Sequence, residues 1–381
     1  MIHDLCSEEV RQISVQVLQE NISLETEGYK IDTAMTWNVL LKAAVERSSI
    51  EASCSDLVEV ADSNTIREHL NASLDVRDLQ QLEVEQNAAL AATIPREVKA
   101  KGVEVAMDWH DEAFYGKSPE LLTYVCRCAA KAGTTRCFRI ATAYVMLGDF
   151  RLTVAMTYVL PEYSHLAVLK RLWQRVSQVG IRIKVLYLDK GFCQGDIIRY
   201  LQDQQQPTIM ACPIRGKGGG TRALCQGRRS YRTIYTFTDG TTTDVAVVAT
   251  FVRDHQTKRK KRHWHLYVVI ELTWPPKKIG KRYRRRFGIE CSYRQMRQVR
   301  PFSNARNPAL RFFLLGLALI ILNIWRWLRW CFTRRLTGRW RVDPHRFRLH
   351  RFVQFLRRAI EQAYGVILAI PTHLPPKSVI H

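Results

Sequence analysis

Residues 281–300, KRYRRRFGIECSYRQMRQVR, place one carboxylate in a dense field of positive charge. The segment contains eight Lys and Arg residues, and its single acid is Glu290. Guanidinium groups bind phosphate oxygens in pairs, and a carboxylate is a ligand for a hard divalent cation. The segment could therefore bind a metal ion and a phosphodiester together. The alternative is an amphipathic helix in which Glu290 only forms ion pairs with its arginines.

Four residues of this segment have helical spacing. Tyr283, Arg286, Glu290 and Arg297 are separated by 3, 4 and 7 positions. At about 100° per residue they fall within a sector of about 60° if the segment is one continuous helix. One face would then present a phenol, a guanidinium, a carboxylate and a second guanidinium. The spacing of Arg286 and Glu290 also fits an ordinary ion pair within a helix.

Two aspartates stand where strands are predicted to end. The alternating stretch VEVAMDWH predicts a strand that ends at Asp108, and the apolar run IKVLYLD predicts a buried strand that ends at Asp189. In α/β sheets, binding sites form beyond the carboxyl ends of such strands. Either aspartate alone could instead be a turn or cap residue. Asp111 and Glu112 are second choices for the role of Asp108.

The order of the predicted elements indicates the fold class. Strands at 103–110, 136–147 and 150–160 are followed by a helix, the strand that ends at Asp189, a second helix and a further strand. The second and third strands would form a hairpin that turns at Gly148–Asp149. Three antiparallel strands followed by strands joined through helices are typical of a ribonuclease-H-like fold. We therefore predict an α/β protein with a ribonuclease-H-like core and a β-rich insertion, preceded by an α-helical N-terminal domain.

The sequence pattern divides the chain into five segments. A short helix, a turn near Val60–Asp62 and a second helix capped by Ser63 or Asn64 could form a helix-turn-helix or a dimerisation module. The predicted segments are a helical N-terminal domain at 1–98, the first part of the core at 99–214, the β-rich insertion at 215–275, the core segment with the Glu290 helix and an apolar helix at 276–330, and a basic tail at 331–381.

Charge divides the chain into two regions. The first 100 residues carry 8 Lys and Arg and 18 Asp and Glu, a net charge of −10, and the remainder carries +33. The net charge of +23 predicts a polyanionic partner, nucleic acid first. The basic run at 258–263 and the arginines and aromatics of 326–352 could contact a DNA backbone, or could be a solvated loop and a structural helix pair.

Two features argue against a zinc-binding protein and a membrane protein. The ten cysteines include no CxxC pair, which argues against a zinc finger and predicts free thiols in a reducing cytoplasm. The apolar segment 312–325 has 14 residues, whereas a membrane span needs about 20. We therefore predict a buried core helix there. The alternative is a membrane helix, which solubility of the protein without detergent would exclude.

The acidic residues together resemble those of a known family, the DDE transposases of prokaryotic insertion sequences. The resemblance is to the branch with a Tyr-x2-Arg-x3-Glu-x6-Lys signature, which here reads YRRRFGIECSYRQMR with Arg297 in place of Lys. The family's Asp-Arg-Gly-Phe motif reads DKGF, with Lys190 in place of Arg, and its first aspartate motif reads DWHDEAFYG. The resemblance covers roughly residues 100–330.

The resemblance implies an enzyme that cleaves DNA strands at the ends of an insertion sequence and transfers them into target DNA. It implies two Mg²⁺ ions, with Mn²⁺ as a substitute, and DNA partners in the form of terminal repeats and target DNA. It also implies a homodimer in the active complex, no membrane, and a place in the prokaryotic cytoplasm beside the nucleoid. The implied residues are Asp108, Asp189 and Glu290 as catalytic metal ligands, and Tyr283, Arg286, Arg297 and Lys190 as DNA contacts.

Two other functions remain compatible with these residues. One is a catalytically inactive or domesticated protein that binds specific DNA sequences without cutting them. The other is a ribonuclease-H-like nuclease or resolvase that cuts without strand transfer. Only a transposase and a nuclease would give metal-dependent cleavage, which a DNA-binding protein lacks. Only a transposase would also give strand-transfer products.

Overall fold

The computed structural model describes residues 4–24, 26, 28–75, 78–131, 133–148, 150–253, 260–333, 342–343 and 345–369. The helices are α1 (Ser7–Gln19), α2 (Thr33–Glu46), α3 (Ile50–Asp56), α4 (Ser63–Ser73), α5 (Leu79–Ala92), α6 (Arg96–Lys99), α7 (Pro119–Leu122), α8 (His165–Gln178), α9 (Gly195–Asp203), α10 (Pro276–Tyr283), α11 (Gly288–Met296), α12 (Pro308–Thr333) and α13 (Leu349–Tyr364). The strands are β1 (Val103–Ala113), β2 (Cys126–Lys131), β3 (Thr134–Leu147), β4 (Phe150–Val159), β5 (Ile183–Leu188), β6 (Thr208–Cys212), β7 (Tyr231–Thr236), β8 (Thr242–Arg253) and β9 (Lys260–Ile270).

The nine strands form one mixed sheet. Its order is β2-β3-β1-β5-β6-β9-β8-β7, and β4 pairs with β3. Strands β4, β3 and β1 are antiparallel, whereas β1, β5 and β6 are parallel. This is the predicted ribonuclease-H-like order, and the mixed α/β class is confirmed. The three strands predicted for the insertion are also present, but β9 pairs with β6 and so extends the core sheet.

Parts of three predicted features lie outside the described residues. Asp149, in the predicted hairpin turn, is one of them, but Leu147 pairs with Phe150 as that hairpin requires. Residues 258 and 259 of the predicted basic finger are also outside, and β9 begins directly after them at Lys260. In the basic tail, residues 334–341, 344 and 370–381 lie outside the described residues.

Helices cover both faces of the sheet. On one face, α8 and α9 bury a stripe that includes Leu169, Leu172 and Ile198. On the other, the N-terminal helices share one apolar core with α12, α13 and the sheet. The predicted segment 1–98 is thus helical, and its helices pack into the main body. Helix α4 begins at Ser63, and its cap is Asp62, not the predicted Ser63 or Asn64.

A buried lysine links the N-terminal helices to α13, near the C-terminus. Lys42 of α2 is fully buried, and its ammonium lies 2.8 Å from Glu46, 2.7 Å from Asp56 and 3.3 Å from Glu361 of α13. Burial disfavours the charged form of Lys42, but the three acids together outweigh it and raise its pKa. A lysine buried so completely needs such partners, because an unpaired buried charge is costly.

The predicted apolar segment is the centre of α12. This helix has 26 residues and is long and apolar enough to cross a membrane, but 94% of its most apolar window is buried inside the protein. It packs against α5, α11 and β4. The burial agrees with the predicted core helix.

Two asparagine amides close the outer edge of β4. The Asn323 side chain of α12 accepts from the Thr153 backbone N–H at 3.1 Å and donates to its carbonyl at 2.7 Å. Asn87 of α5 makes the same pair of bonds with Met156 at 2.9 and 2.8 Å. An edge strand carries unpaired backbone groups, and these amides satisfy them inside the core. The polar Asn323 is therefore explained within the apolar helix, because its amide pairs the free backbone groups at the edge of β4.

Asn323→Ala is expected to lower the free energy of unfolding by about 3 kcal/mol, because it leaves a buried donor and a buried acceptor of Thr153 unpaired. Urea denaturation followed by circular dichroism measures this. The exposed Asn304→Ala is the control, with an expected change of at most about 0.5 kcal/mol. Equal midpoints for the two variants would show that water replaces the amide at the β4 edge.

Candidate active site

Asp108 lies in the middle of a strand, not at its end as predicted. Strand β1 continues to Ala113 because its antiparallel neighbour β3 pairs with it along that length. The parallel pairing with β5, in contrast, stops at Met107 and Leu188. Asp108 is thus the first residue of β1 beyond the end of β5. Its carboxylate occupies the kind of position that the sequence predicted, at the carboxyl end of the parallel strands.

Asp189 directly follows β5 and precedes a 3-10 turn at Lys190–Phe192. The Phe192 ring stacks on Trp109 with centroids 4.4 Å apart. His165 of α8 contacts the Gly191 carbonyl through Nδ1 at 3.0 Å. Because Trp109 follows Asp108 directly, this stack fixes the two aspartate-bearing segments beside each other.

The segment that carries Glu290 is not one continuous α-helix. A 3-10 turn at Arg284–Phe287 separates α10 from α11. Three of the four side chains nevertheless lie together, as the spacing predicted: the Arg286 guanidinium lies 5.4 Å from the centre of the Tyr283 ring and 3.3 Å from Glu290 Oε1. Arg297 is exposed at the end of α11. The 3-10 turn winds more tightly than an α-helix but is only four residues long, so it leaves these three side chains as neighbours.

Arg286 joins the three predicted carboxylates. Its guanidinium lies 2.7 Å from Asp108 Oδ2, 3.3 Å from Asp189 Oδ1 and 3.3 Å from Glu290 Oε1. Arg286 is only 4% exposed. Three acids from three separate elements thus converge on one buried cation. The sequence predicted Arg286 as a DNA contact, and in this structure its guanidinium binds the acids.

The electrostatics of this cluster leave negative charge in excess. Burial raises the pKa of Asp108 to about 6, with a smaller contribution from Asp189, although Arg286 and the Trp109 N–H oppose the rise. Burial disfavours the charged form of Arg286, but Tyr283 and the two aspartates outweigh it and raise its pKa. One guanidinium cannot neutralise three carboxylates. The cluster therefore has the charge that attracts a further cation.

Two buried tyrosines support the backbone beneath the acids. The Tyr283 hydroxyl donates to the Leu188 carbonyl at 3.1 Å, one residue before Asp189. The Tyr293 hydroxyl donates to the Asp108 carbonyl at 3.2 Å and contacts Thr142 Oγ1 at 2.6 Å. Tyr283 was predicted to contact DNA, but its hydroxyl is engaged inside the protein. Tyr293 was missed, and its position three residues after Glu290 was the available signal.

The two alternative acids of β1 have partners elsewhere. Asp111 Oδ1 and Oδ2 accept from Arg139 at 2.6 and 3.0 Å. Glu112 forms an ion pair with Arg300. Burial opposes ionisation of Glu112, but His110 and Arg300 outweigh it and lower its pKa to about 2. Because each of these acids already has an arginine partner on another element, Asp108 remains the first choice.

The donor set of the Arg286 cluster fits a divalent ion. Its ligands are carboxylate oxygens only, which Mg²⁺ and Mn²⁺ prefer, and they outnumber the guanidinium three to one. Among the described residues, three metal-ligand side chains have all their ligand atoms within 4.8 Å of one another at Asp111–Cys128–Cys137 and at Glu46–Asp56–Glu361, whereas the three acids around Arg286 lie farther apart than that. Both of those groups already have a cation, Arg139 and Lys42 respectively.

A basic groove opens beside the acids. It has a volume of about 750 Å³ and lies between the insertion strands and α10. Trp264 of β9 lines it, and the Arg262 guanidinium covers that ring at 5.6 Å. The cationic lining residues are Lys190, Lys277, Lys281 and Arg284. Of the predicted DNA contacts, Lys190 and Tyr283 line this groove.

Comparison with known proteins supports one family. Residues 164–324 match the family model described as the transposase DDE domain, and this segment includes Asp189 and Glu290. No curated protein matches the chain. Among solved structures, the fold is similar to that in a cryo-EM structure of the piggyBac transposase synaptic complex with hairpin DNA. The TM-score is 0.55 at 9% identity, over 95% of this chain and 78% of that chain, so this likeness concerns the fold. The domain match supports a DDE transposase family for this protein.

Proposed function

We propose that this protein is a transposase that cuts DNA strands at the ends of an insertion sequence and transfers them into target DNA. The observation that carries the proposal is the convergence of Asp108, Asp189 and Glu290 on Arg286. The transposase domain match and the net charge of +23 support the same conclusion.

The proposed cofactor is a pair of Mg²⁺ ions, with Mn²⁺ as a substitute. Asp108, Asp189 and Glu290 would hold them. When bound, such ions activate the attacking oxygen and stabilise the leaving oxygen of a phosphodiester. Before metal binding, Arg286 keeps the three carboxylates together, since each would otherwise repel the others.

The chain's own residues place the reacting phosphate. Tyr283 holds the Leu188 carbonyl just before Asp189, and Tyr293 holds the carbonyl of Asp108 itself, so the two phenols fix where the carboxylates leave the sheet. The exposed Lys190 follows Asp189 directly and opens into the basic groove, where it can bind a backbone phosphate. Arg297, exposed at the end of α11, is the second proposed phosphate contact.

The assembly and setting of the protein are also part of this proposal. We propose a homodimer on paired terminal repeats, in the prokaryotic cytoplasm beside the nucleoid. The structural neighbour is a synaptic complex, which supports an assembly that brings DNA ends together. The acidic N-terminal helices carry no proposed DNA contact, because their charge repels phosphate.

Joined products test the proposal. The full chain is incubated with DNA that carries its gene's own flanks, a supercoiled target plasmid, and Mg²⁺, Mn²⁺ or EDTA. Metal-dependent cuts at both flanks together with flank–plasmid junctions are the expected result. Cuts without junctions would indicate a nuclease or resolvase, and binding without cuts would indicate a DNA-binding protein.

The cleavage rate is expected to depend on pH through Asp108. Below about pH 6 this carboxyl is mostly protonated in the metal-free protein and cannot be a metal ligand. At limiting Mg²⁺ the rate should rise about tenfold per pH unit up to about 6 and then level off. Raising the Mg²⁺ concentration should move the midpoint to lower pH, because metal and proton compete. If the pH midpoint of the cleavage rate lies near 4 and does not change with the Mg²⁺ concentration, Asp108 does not have this role.

A further inference from the structure

A second polar pocket lies on the other side of the segment that carries Glu290. It has a volume of about 330 Å³ and is formed by the β3–β4 hairpin, α11 and the end of α12. Three arginines line it, Arg151, Arg326 and Arg329, and none of its lining residues is acidic. We call it the Arg326 pocket.

Arg326 is a buried cation with neutral partners. It is 8% exposed, and its Nη2 donates to Ser292 Oγ at 3.0 Å and Gln295 Oε1 at 2.8 Å. Its Nη1 is buried without a hydrogen-bond partner in the described structure. Burial lowers the pKa of Arg326, and the nearby charge of Arg151 lowers it further. A buried guanidinium without a carboxylate is costly, and an anion in the pocket would remove that cost.

The remaining arginines complete a cationic wall. Arg151 lies so close to the start of α11 that a Cβ on Gly288 would collide with its guanidinium. Arg329 donates to the Asp343 carbonyl at 3.0 Å and lines the same pocket. Three guanidiniums around one small space match the several oxygens of a phosphate group better than a single carboxylate.

We propose that the Arg326 pocket binds a phosphate group. Cys291, which lines the pocket, directly follows Glu290, so a phosphate here would lie across α11 from the acidic cluster. The phosphate belongs either to the backbone of DNA held at the acidic site or to a free phosphate anion. The DNA form rests on the proposed function, whereas phosphate binding itself does not.

Binding measurements on the full chain in EDTA test this without any cleavage. Inorganic phosphate and pyrophosphate are titrated by calorimetry into the wild type, Arg151→Gln, Arg326→Gln and the control Arg358→Gln. Arg358 is an exposed cation of α13 outside the pocket. We expect saturable binding by the wild type and the control, and affinities about tenfold lower in both pocket variants. Arg151→Gln decides the matter if Arg326→Gln does not fold.

A duplex with the gene's flank sequence distinguishes the two sources. If the phosphate belongs to DNA, both pocket variants bind the duplex about tenfold more weakly than Arg358→Gln, and the salt slope falls by about one. If it is a free anion, duplex binding equals that of Arg358→Gln while phosphate binding still falls. Absence of saturable phosphate binding by the wild type, or wild-type phosphate affinity in Arg151→Gln, would overturn the proposal. If the wild type does not cleave DNA, the proposed function fails, but these binding measurements still decide whether the pocket binds phosphate.

Discussion

Arg286→Gln is expected to lower the free energy of unfolding of the metal-free protein by about 3–5 kcal/mol, because it removes the cation that three carboxylates share. The glutamine amide can donate hydrogen bonds but carries no charge. Asp108 then lies buried beside Asp189 without compensation, in a site where burial already disfavours its charged form.

Thermal unfolding in EDTA and in Mg²⁺ measures the effect and identifies its cause. Since a divalent ion neutralises the same acids, Mg²⁺ should raise the melting temperature of Arg286→Gln more than that of the wild type. Arg294→Gln is the control, because Arg294 is an exposed cation of α11 that lies outside the acidic cluster. If Arg286→Gln and the wild type have the same melting temperature in EDTA, the acids do not depend on Arg286 for their stability.

Asp108→Asn and Asp189→Asn are each expected to reduce DNA cleavage by about 10³-fold or more, with duplex affinity within about threefold of the wild type. A carboxamide keeps the shape of the side chain but is a poor ligand for a divalent cation. Because the acids act on one reaction centre, the double variant should be little worse than either single one. Rates come from end-labelled flank DNA.

Glu162→Gln is the matched control for these carboxylate variants, since Glu162 is an exposed acid away from Arg286. It should cleave at the wild-type rate. Multiplicative losses in the double variant would mean that the two aspartates act independently, and wild-type cleavage by either single variant would remove that residue from the site.

The sequence predicted much of the fold because the core strands have clear patterns. The apolar run that ends at Asp189 is typical of a strand buried on both faces, and the alternation around Asp108 identified its neighbour. The end of β1 was misplaced because strand length depends on pairing with β3, which is a tertiary contact. The carboxylate still lies at the edge where the parallel pairing stops, so the error did not affect the choice of residue.

The candidate site was less predictable than its acids. The spacing around Glu290 correctly brought Tyr283 and Arg286 beside it, but it did not predict the 3-10 turn at Arg284–Phe287 or the burial of Arg286. Nothing local in the sequence marks that turn. The contacts of Asn323 and Lys42 join elements more than a hundred residues apart in the chain, so only the folded structure shows why polar groups belong there.

The central claim is that Glu290 belongs to a metal-dependent DNA-cutting site. The most direct test compares Glu290→Gln with the wild type on DNA that carries the gene's own flanks, in Mg²⁺, Mn²⁺ and EDTA, with strand cuts mapped to the nucleotide. We predict metal-dependent wild-type cuts at both flanks, and no cuts by Glu290→Gln despite equal DNA binding. Equal cleavage by both proteins would mean that Glu290 is only an ion-pair partner of Arg286.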